Sequence, residues 1–372
     1  MTYEVAVAGV GIHPFGRYDD KSLADLAAVA LEQAFAQAGM EFGDVGTVFL
    51  GNALGPTGVA AALAEALGID GIPVVRIEQA CASGSSALRL ACEVVSSGAC
   101  DTAIALGVEK MGKGLLQFDD GKSYQARLSL DLFPLLYSLK SRQYIECGAS
   151  STAGIASIAV KARSLGAKTA HAATDREVSV EEVLASPMIA DPITRLQCCR
   201  NVDGAAAAVV TRAKVGDGLP RVRGWVGGNE IDDPNRPMIH GLDARERIVK
   251  ILSERLYEAA GVGPDDIDII QLNDAFAIAE PLYLEALGFA SDGDGMALYH
   301  DGHTGMSGRH TVNSDGGMIG RGHSLGATGL AMVYEIVTQL RGLAGGRQLP
   351  RRRMGLVQSH GYGAENLFII SC

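Results

Sequence analysis

Two hydrophobic periods alternate along the first hundred residues. The run YEVAVAGVGI (3–12) is nearly continuous in apolar residues, as a buried strand requires. SLADLAAVALEQAFAQAG (22–39) changes to helical spacing, opened by Ser22 and closed by Gly39. VGTVFLGNA (45–53), IPVVRIEQA (72–80) and DTAIALGVEKM (101–111) read as strands, with helical patterns at TGVAAALAEALGI (57–69) and SGSSALRLACEVVSSG (83–98) between them. Such alternation predicts an α/β fold with a largely parallel sheet covered by helices on both faces. From about Leu116 to Leu196 charged and small residues mix without strand periodicity, which predicts a helical insertion. Strand patterns return at DGAAAAVVTRA (203–213) and RVRGWVGG (221–228).

The pattern then repeats. LEQAFAQAGMEFGDVGTVFLGNA (31–53) resembles SERLYEAAGVGPDDIDIIQLNDA (253–275), and CASGSSALRLACEVV (81–95) aligns with HSLGATGLAMVYEIV (323–337). Gly84 falls on Gly326 and Cys81 on His323. The matches keep their order, so the chain reads as two related α/β halves. Residues 1–115 with 197–217 form the N-terminal half, 116–196 the inserted domain and 218–372 the C-terminal half.

Composition narrows the function. A chain of 372 residues exceeds a single ordinary core, and 47 glycines with 5% aromatics favour close backbone packing. A net charge of −11 argues against nucleic acid as a partner. The seven cysteines are odd in number and form no CxxC pair, so neither a zinc site nor a disulfide scaffold is expected, and no metal is assigned to this chain. Free thiols in a reducing, cytoplasmic setting fit best. The first residues show no basic region leading into an apolar helix, and no apolar run reaches the ~18 residues of a membrane span.

Four segments carry chemistry. Cys81 stands at the start of a predicted helix, where partial positive charge is expected to lower a thiol pKa, and Ala82, Ser83 and Gly84 leave room for a bulky group. NSDGGMIGRGHSLGATG (313–329) surrounds His323 with glycines, and an imidazole there can take a thiol proton. QLNDAFA (271–277) ends a strand in Asn273-Asp274; Asn273 can hold a water or a carbonyl oxygen, and Asp274 is its orienter or a cap. LVQSHGYGAEN (356–366) puts His360 at a strand end before a Gly-rich loop, a second acid/base candidate.

Together these segments resemble the thiolase superfamily over nearly the whole chain, closest to the branch of sterol carrier protein thiolases and archaeal acetoacetyl-CoA thiolases. CASGSSAL is similar to the nucleophile motif, NDAF to NEAF, and GHSLGATG to GHPxGATG. The resemblance implies two mixed five-stranded sheets in five α-β-α-β-α layers plus a CoA-covering loop domain. It implies acylation of Cys81 by a CoA thioester and deprotonation of its thiol by His323. One oxyanion hole would lie between His323 and a water on Asn273, a second between the backbone N–H groups of Cys81 and Gly363. Ser324, Gly326 and Tyr362 would contact CoA, and Arg127 and Arg142 its phosphates, with Lys140, Lys161, Arg163 and Lys168 as further basic candidates. Three departures stand out. His360 occupies the place of the usual second cysteine. The compensating cysteine of an HDCF motif is Ala275 here. Ser324 replaces a proline. Cys198 and Cys199 are expected to be structural.

The resemblance implies a CoA-dependent C-acyltransferase acting on β-ketoacyl-CoA in either direction. Alternatives are a thiolase-like aldolase or C-acetyltransferase working with a small OB-fold/zinc-ribbon partner, and a catalytically idle scaffold subunit. A homodimer or higher oligomer, pairing through an edge strand of the first half, is also implied.

Overall fold

The computed structural model describes residues 2–112, 132–229 and 244–372. The first half opens with β1 (Val5–Gly16) and α1 (Leu23–Ala38). Ser22 caps α1 by accepting from the Asp25 N–H, while the Asp25 carboxylate accepts from the Ser22 N–H. There follow β2 (Thr47–Gly51), α2 (Val59–Leu67), β3 (Val74–Ile77), α3 (Ser83–Ser97) and β4 (Thr102–Glu109). Helices α4 (Leu132–Glu146), α5 (Thr152–Ala167) and α6 (Val180–Ala185) come next, with a small ribbon of β5 (Met188–Ala190) and β6 (Ile193–Thr194). Strand β7 (Asp203–Arg212) returns to the sheet.

The second half repeats the plan with β8 (Arg221–Asn229), α7 (Ala244–Ala260), β9 (Ile269–Gln271), α8 (Ala279–Ala286), β10 (Thr311–Val312), α9 (Leu325–Leu340), β11 (Met354–His360) and β12 (Ala364–Ser371). The strand order is β10-β9-β11-β12-β8-β1-β7-β4-β2-β3. It divides into β3-β2-β4-β7-β1 and its mirror in sequence, β10-β9-β11-β12-β8. The halves join through β1 and β8 by two residue pairs, Val5 with Val222 and Ala6 with Arg221. Each half mixes parallel pairs (β2 with β3 and β4; β9 with β10 and β11) and antiparallel ones (β4 with β7; β11 with β12). The two five-stranded sheets of the thiolase fold are therefore present.

Three apolar cores separate the layers. One lies under α1 and α2, one under α7 and α8, and the third holds α3 and α9 between the sheets. Helix α9 is buried on almost every face, so it is apolar all round rather than amphipathic. Its approach to the first half depends on missing side chains. A Cβ on Gly326 would lie 2.4 Å from the Gly51 carbonyl oxygen, and one on Gly84 would lie 2.4 Å from that of Gly326. That approach sets the start of α3 beside the start of α9.

Candidate active site

Cys81 lies in a 3₁₀ turn, Ala80–Ala82, between β3 and α3. Ala80, just before it, has φ 46, a left-handed conformation that a residue with a Cβ adopts at a cost of ~1 kcal/mol or more. Two side chains hold this strain. Ser83 Oγ accepts from the Gln79 N–H at 2.8 Å and donates to the Ala80 carbonyl at 2.7 Å, and Glu78 accepts from the Ala80 N–H at 2.8 Å. The tight turn presents the sulfur to the second half.

His323 Nε2 lies 3.0 Å from Cys81 Sγ. Its backbone is stitched to the strand entry of β7: the His323 N–H donates to the Arg200 carbonyl at 2.8 Å, and the Val202 N–H donates to the His323 carbonyl at 2.9 Å. Its Nδ1 lies 2.8 Å from Thr328 Oγ1. That hydroxyl donates its own proton to the Ser324 carbonyl at 2.9 Å, so it accepts from the ring. The proton therefore sits on Nδ1 and the Nε2 lone pair faces the thiol. Thr328 stands in the sequence motif, yet nothing in the motif reveals its bond to the ring.

Burial corrects the expectation of a lowered thiol pKa. It pushes Cys81 up to about 12, with the Arg245 charge acting the other way. Burial lowers His323 to about 3, aided by the nearby Arg321 charge. The dry site outweighs the helix-end field, and the resting pair is a neutral thiol and a neutral imidazole.

A cavity of about 140 Å³ opens beside this pair. Asn273 and His360 line it with Cys81 and His323, so the four predicted catalytic side chains meet. The Asn273 side-chain amide donates to the His360 carbonyl at 2.7 Å. Asp274 accepts from the Met318 and Ile319 N–H groups at 2.6 and 3.3 Å, which makes it a cap of the turn ahead of His323. The outer wall is aromatic. Tyr137 stacks on Phe276 with centroids 4.6 Å apart, and Phe133 meets Tyr362 edge-on at 6.3 Å. Arg245 joins this wall and donates to the Tyr137 hydroxyl at 3.1 Å. Cys199, expected to be structural, also lines the cavity; its N–H donates to the Ala275 carbonyl at 2.8 Å. Sequence offered no signal for Arg245 or Cys199, because Arg245 opens α7 and Cys199 lies between β6 and β7, both outside the four motifs.

Several expected CoA contacts fall elsewhere. From the last loop Gly361 and Tyr362 line the cavity; Gly363, expected as an oxyanion N–H rather than a CoA contact, is not among the lining residues. Ser324 is fully buried and donates to the Gly204 carbonyl at 3.3 Å, so its hydroxyl is spent inside the protein. Gly326 is a packing glycine for the reason given above. Arg142 pairs with Asp191 on α4's exposed side. Lys140 pairs with Glu246 at 2.5 Å, Lys161 with Glu280 at 2.9 Å and Lys168 with Glu177 at 3.1 Å, and Arg163 donates to the Leu196 carbonyl at 3.3 Å. Arg127 lies outside the described residues. His171, Asp315 and Glu335 come within 4.8 Å of one another, but Arg321 and Arg347 already pair with the two carboxylates, so the group offers a cation no net negative charge.

Residues 5–126 match the thiolase N-terminal domain, and residues 243–370 match the thiolase C-terminal domain-like family. The chain belongs to the thiolase family. It is 33% identical over 98% of its length to the benzoylsuccinyl-CoA thiolase subunit BbsB of Thauera aromatica, covering 96% of that protein. It is 32% identical to the acetyl-CoA acetyltransferase of Methanothermobacter thermautotrophicus, covering 96% of both chains, and 31% identical to human sterol carrier protein 2, covering 96% of this chain and 70% of that one. Among solved structures, the Ltp2-ChsH2(DUF35) aldolase superposes with a TM-score of 0.86 at 23% identity, covering 99% of this chain and 98% of that one. The chain thus shares its fold with proteins named for both acyl transfer and aldol chemistry.

Proposed function

We propose that this thiolase is a CoA-dependent C-acyltransferase that cleaves a β-oxoacyl-CoA with CoA, or runs the reverse condensation, through an acyl-Cys81 intermediate. The observation that carries this is the 3.0 Å contact between Cys81 Sγ and a His323 whose Nδ1 is tied down. In the cleavage direction, the sulfur adds to the β-carbonyl carbon while its proton passes to His323 Nε2. The Cα–Cβ bond then breaks, and its electron pair stays on Cα as a thioester enolate. The proton held on His323 Nε2 then passes to that carbon, relayed through His360 Nε2, which begins and ends the step neutral. A CoA thiol attacks the acyl-Cys81 carbonyl as its proton passes to His323 Nε2, the shortened acyl-CoA leaves, and His323 returns that proton to the Cys81 sulfur. Donors aimed at each oxyanion contribute a few kcal/mol apiece. The aromatic wall favours a flat or compact acyl group. A homodimer in a reducing, cytoplasmic setting belongs to the same proposal.

Intact-mass measurement on a panel of acyl-CoAs tests it. Cys81 gains the mass of one acyl group with at least one thioester, and the gain vanishes in C81A. A folded protein that no acyl-CoA labels refutes acyl transfer. The second proposal is an aldolase acting beside an OB-fold/zinc-ribbon partner, favoured by the missing thiol at positions 275 and 360. Product formation that needs no free CoA, and persists in C81A, selects it.

A further inference from the structure

Behind the cavity wall, against His360, lies a buried carboxylate whose work the scheme above leaves open. His360 and Glu365 face each other as direct partners across the β11–β12 hairpin. Their side chains share a face, and Glu365 Oε2 lies 3.0 Å from His360 Nδ1. A carboxylate only accepts, so this contact assigns the ring proton to Nδ1 and the lone pair to Nε2. The other oxygen, Oε1, accepts from Gln358 Nε2 at 2.8 Å. Gln358 Oε1 in turn accepts from the Asn273 backbone N–H at 2.9 Å, and the Asn273 side chain donates to the His360 carbonyl at 2.7 Å. The four residues form a closed ring, each no more than 5% exposed.

A carboxylate in such a place costs several kcal/mol in desolvation unless its neighbours compensate, and an apolar pair would pack at less cost. The charged and titratable groups around His360 include Glu365 on β12, Arg245 on α7, Lys140 on α4 and, lining the same cavity, Tyr137, Cys199, Tyr362 and the Cys81–His323 pair. Burial, with Arg245 and Lys140, holds His360 well below its usual range and so neutral. A neutral imidazole can still present either nitrogen, and only the Nε2 lone pair leaves the ring free to accept a proton on the side away from Glu365.

We infer that Glu365 is a positioning residue that locks His360 as the Nδ1–H tautomer, so that Nε2 exchanges the α-proton of the acyl thioester, and that through Gln358 the same carboxylate fixes Asn273. In that step the α-carbon gives its proton to Nε2, the C–H electron pair moves into the thioester carbonyl, and the reverse transfer restores the ring. Its catalytic half rests on the acyl-transfer reading. Its tautomer half does not.

The experiment compares wild type, E365Q and the exchange variant E365Q/Q358E, which keeps one amide and one carboxylate in the ring but moves the charge away from His360. Nitrogen-15 spectra of labelled histidine, assigned with H360N, read the tautomer without substrate. Deuterium exchange into the α-position of acetyl-CoA reads proton transfer, and mass labelling of Cys81 reads acylation. We expect wild-type His360 as the single Nδ1–H tautomer and a mixture in E365Q. In E365Q, exchange falls roughly 100-fold while acylation changes less than about 3-fold. The exchange variant recovers the wild-type melting temperature and part of the tautomer preference. Unchanged exchange in E365Q, or acylation and exchange lost in parallel, overturns the role of Glu365. A tautomer that follows Glu365 in a protein that no acyl-CoA labels supports the ring and refutes acyl transfer instead.

Discussion

A thiol pushed up to about 12 is inert at rest and becomes a nucleophile only as its proton leaves. In the proposed acyl transfer, proton removal and carbon–sulfur bond formation therefore occur together, with His323 as the acceptor. As the base of the proposed scheme His323 must be unprotonated, and a value of about 3 instead of the ordinary 6.5 keeps it so far into the acid range. The acylation rate constant is expected to stay flat from about pH 8 down to about pH 5, with no limb near the usual histidine value. Single-turnover labelling of Cys81 across that range checks this. T328V removes the acceptor that holds the His323 ring proton and should lower acylation roughly 100-fold with the fold intact. A KM left within a few-fold would show that binding is untouched. At this scale the sequence was legible where a candidate residue sits in a distinctive local motif, as do Cys81, His323, Asn273 and His360, which line one cavity. Thr328, Glu365 and Gln358 stayed hidden because a hydrogen bond across a hairpin or along a helix turn leaves no spacing signal. The direction of the Cys81 shift was misjudged because a helix end can be read from sequence and the dryness of its surroundings cannot.

Between elements, the decisive contact is that of α3 with α9. Their glycines allow backbone to meet backbone, which side chains would forbid. G326A places a methyl against the Gly51 and Val108 carbonyls and should destabilise the protein by about 3 kcal/mol, measured by denaturant unfolding. Residual folded G326A should also lose most acylation, because the displaced helix start carries His323 away from the sulfur. Helices and strands of both halves were readable from hydrophobic period and from the repeat. The crossing of α3 and α9 was not, since small residues record closeness without recording the partner. Ser324 shows the same limit. It was expected to contact CoA, whereas in the structure its hydroxyl is sealed against Gly204.

For the molecule as a whole, the sheet ends among the described residues at β3 on one side and β10 on the other. Strand β3 carries Val75 at 45% exposure, and its sequence VVRI has no lysine and no proline. An edge of this kind pairs readily with another chain unless it is guarded. V75K is expected to convert the proposed dimer to monomer, as read by sedimentation, without unfolding either half. Wild type that sediments as a monomer would remove the dimer from the proposal. The two-half organisation was visible in the repeated segments, because a duplicated fold must conserve the order of its turns and caps.

The correspondence of Cys81 with His323 has a consequence for how such a site can arise. Two identical halves related by a two-fold axis would bring the same residue to both helix starts, giving two sulfurs or two imidazoles but never one of each. Joining both halves in one chain breaks that symmetry, so each copy can specialise: one side furnishes the attacker, the other its proton acceptor.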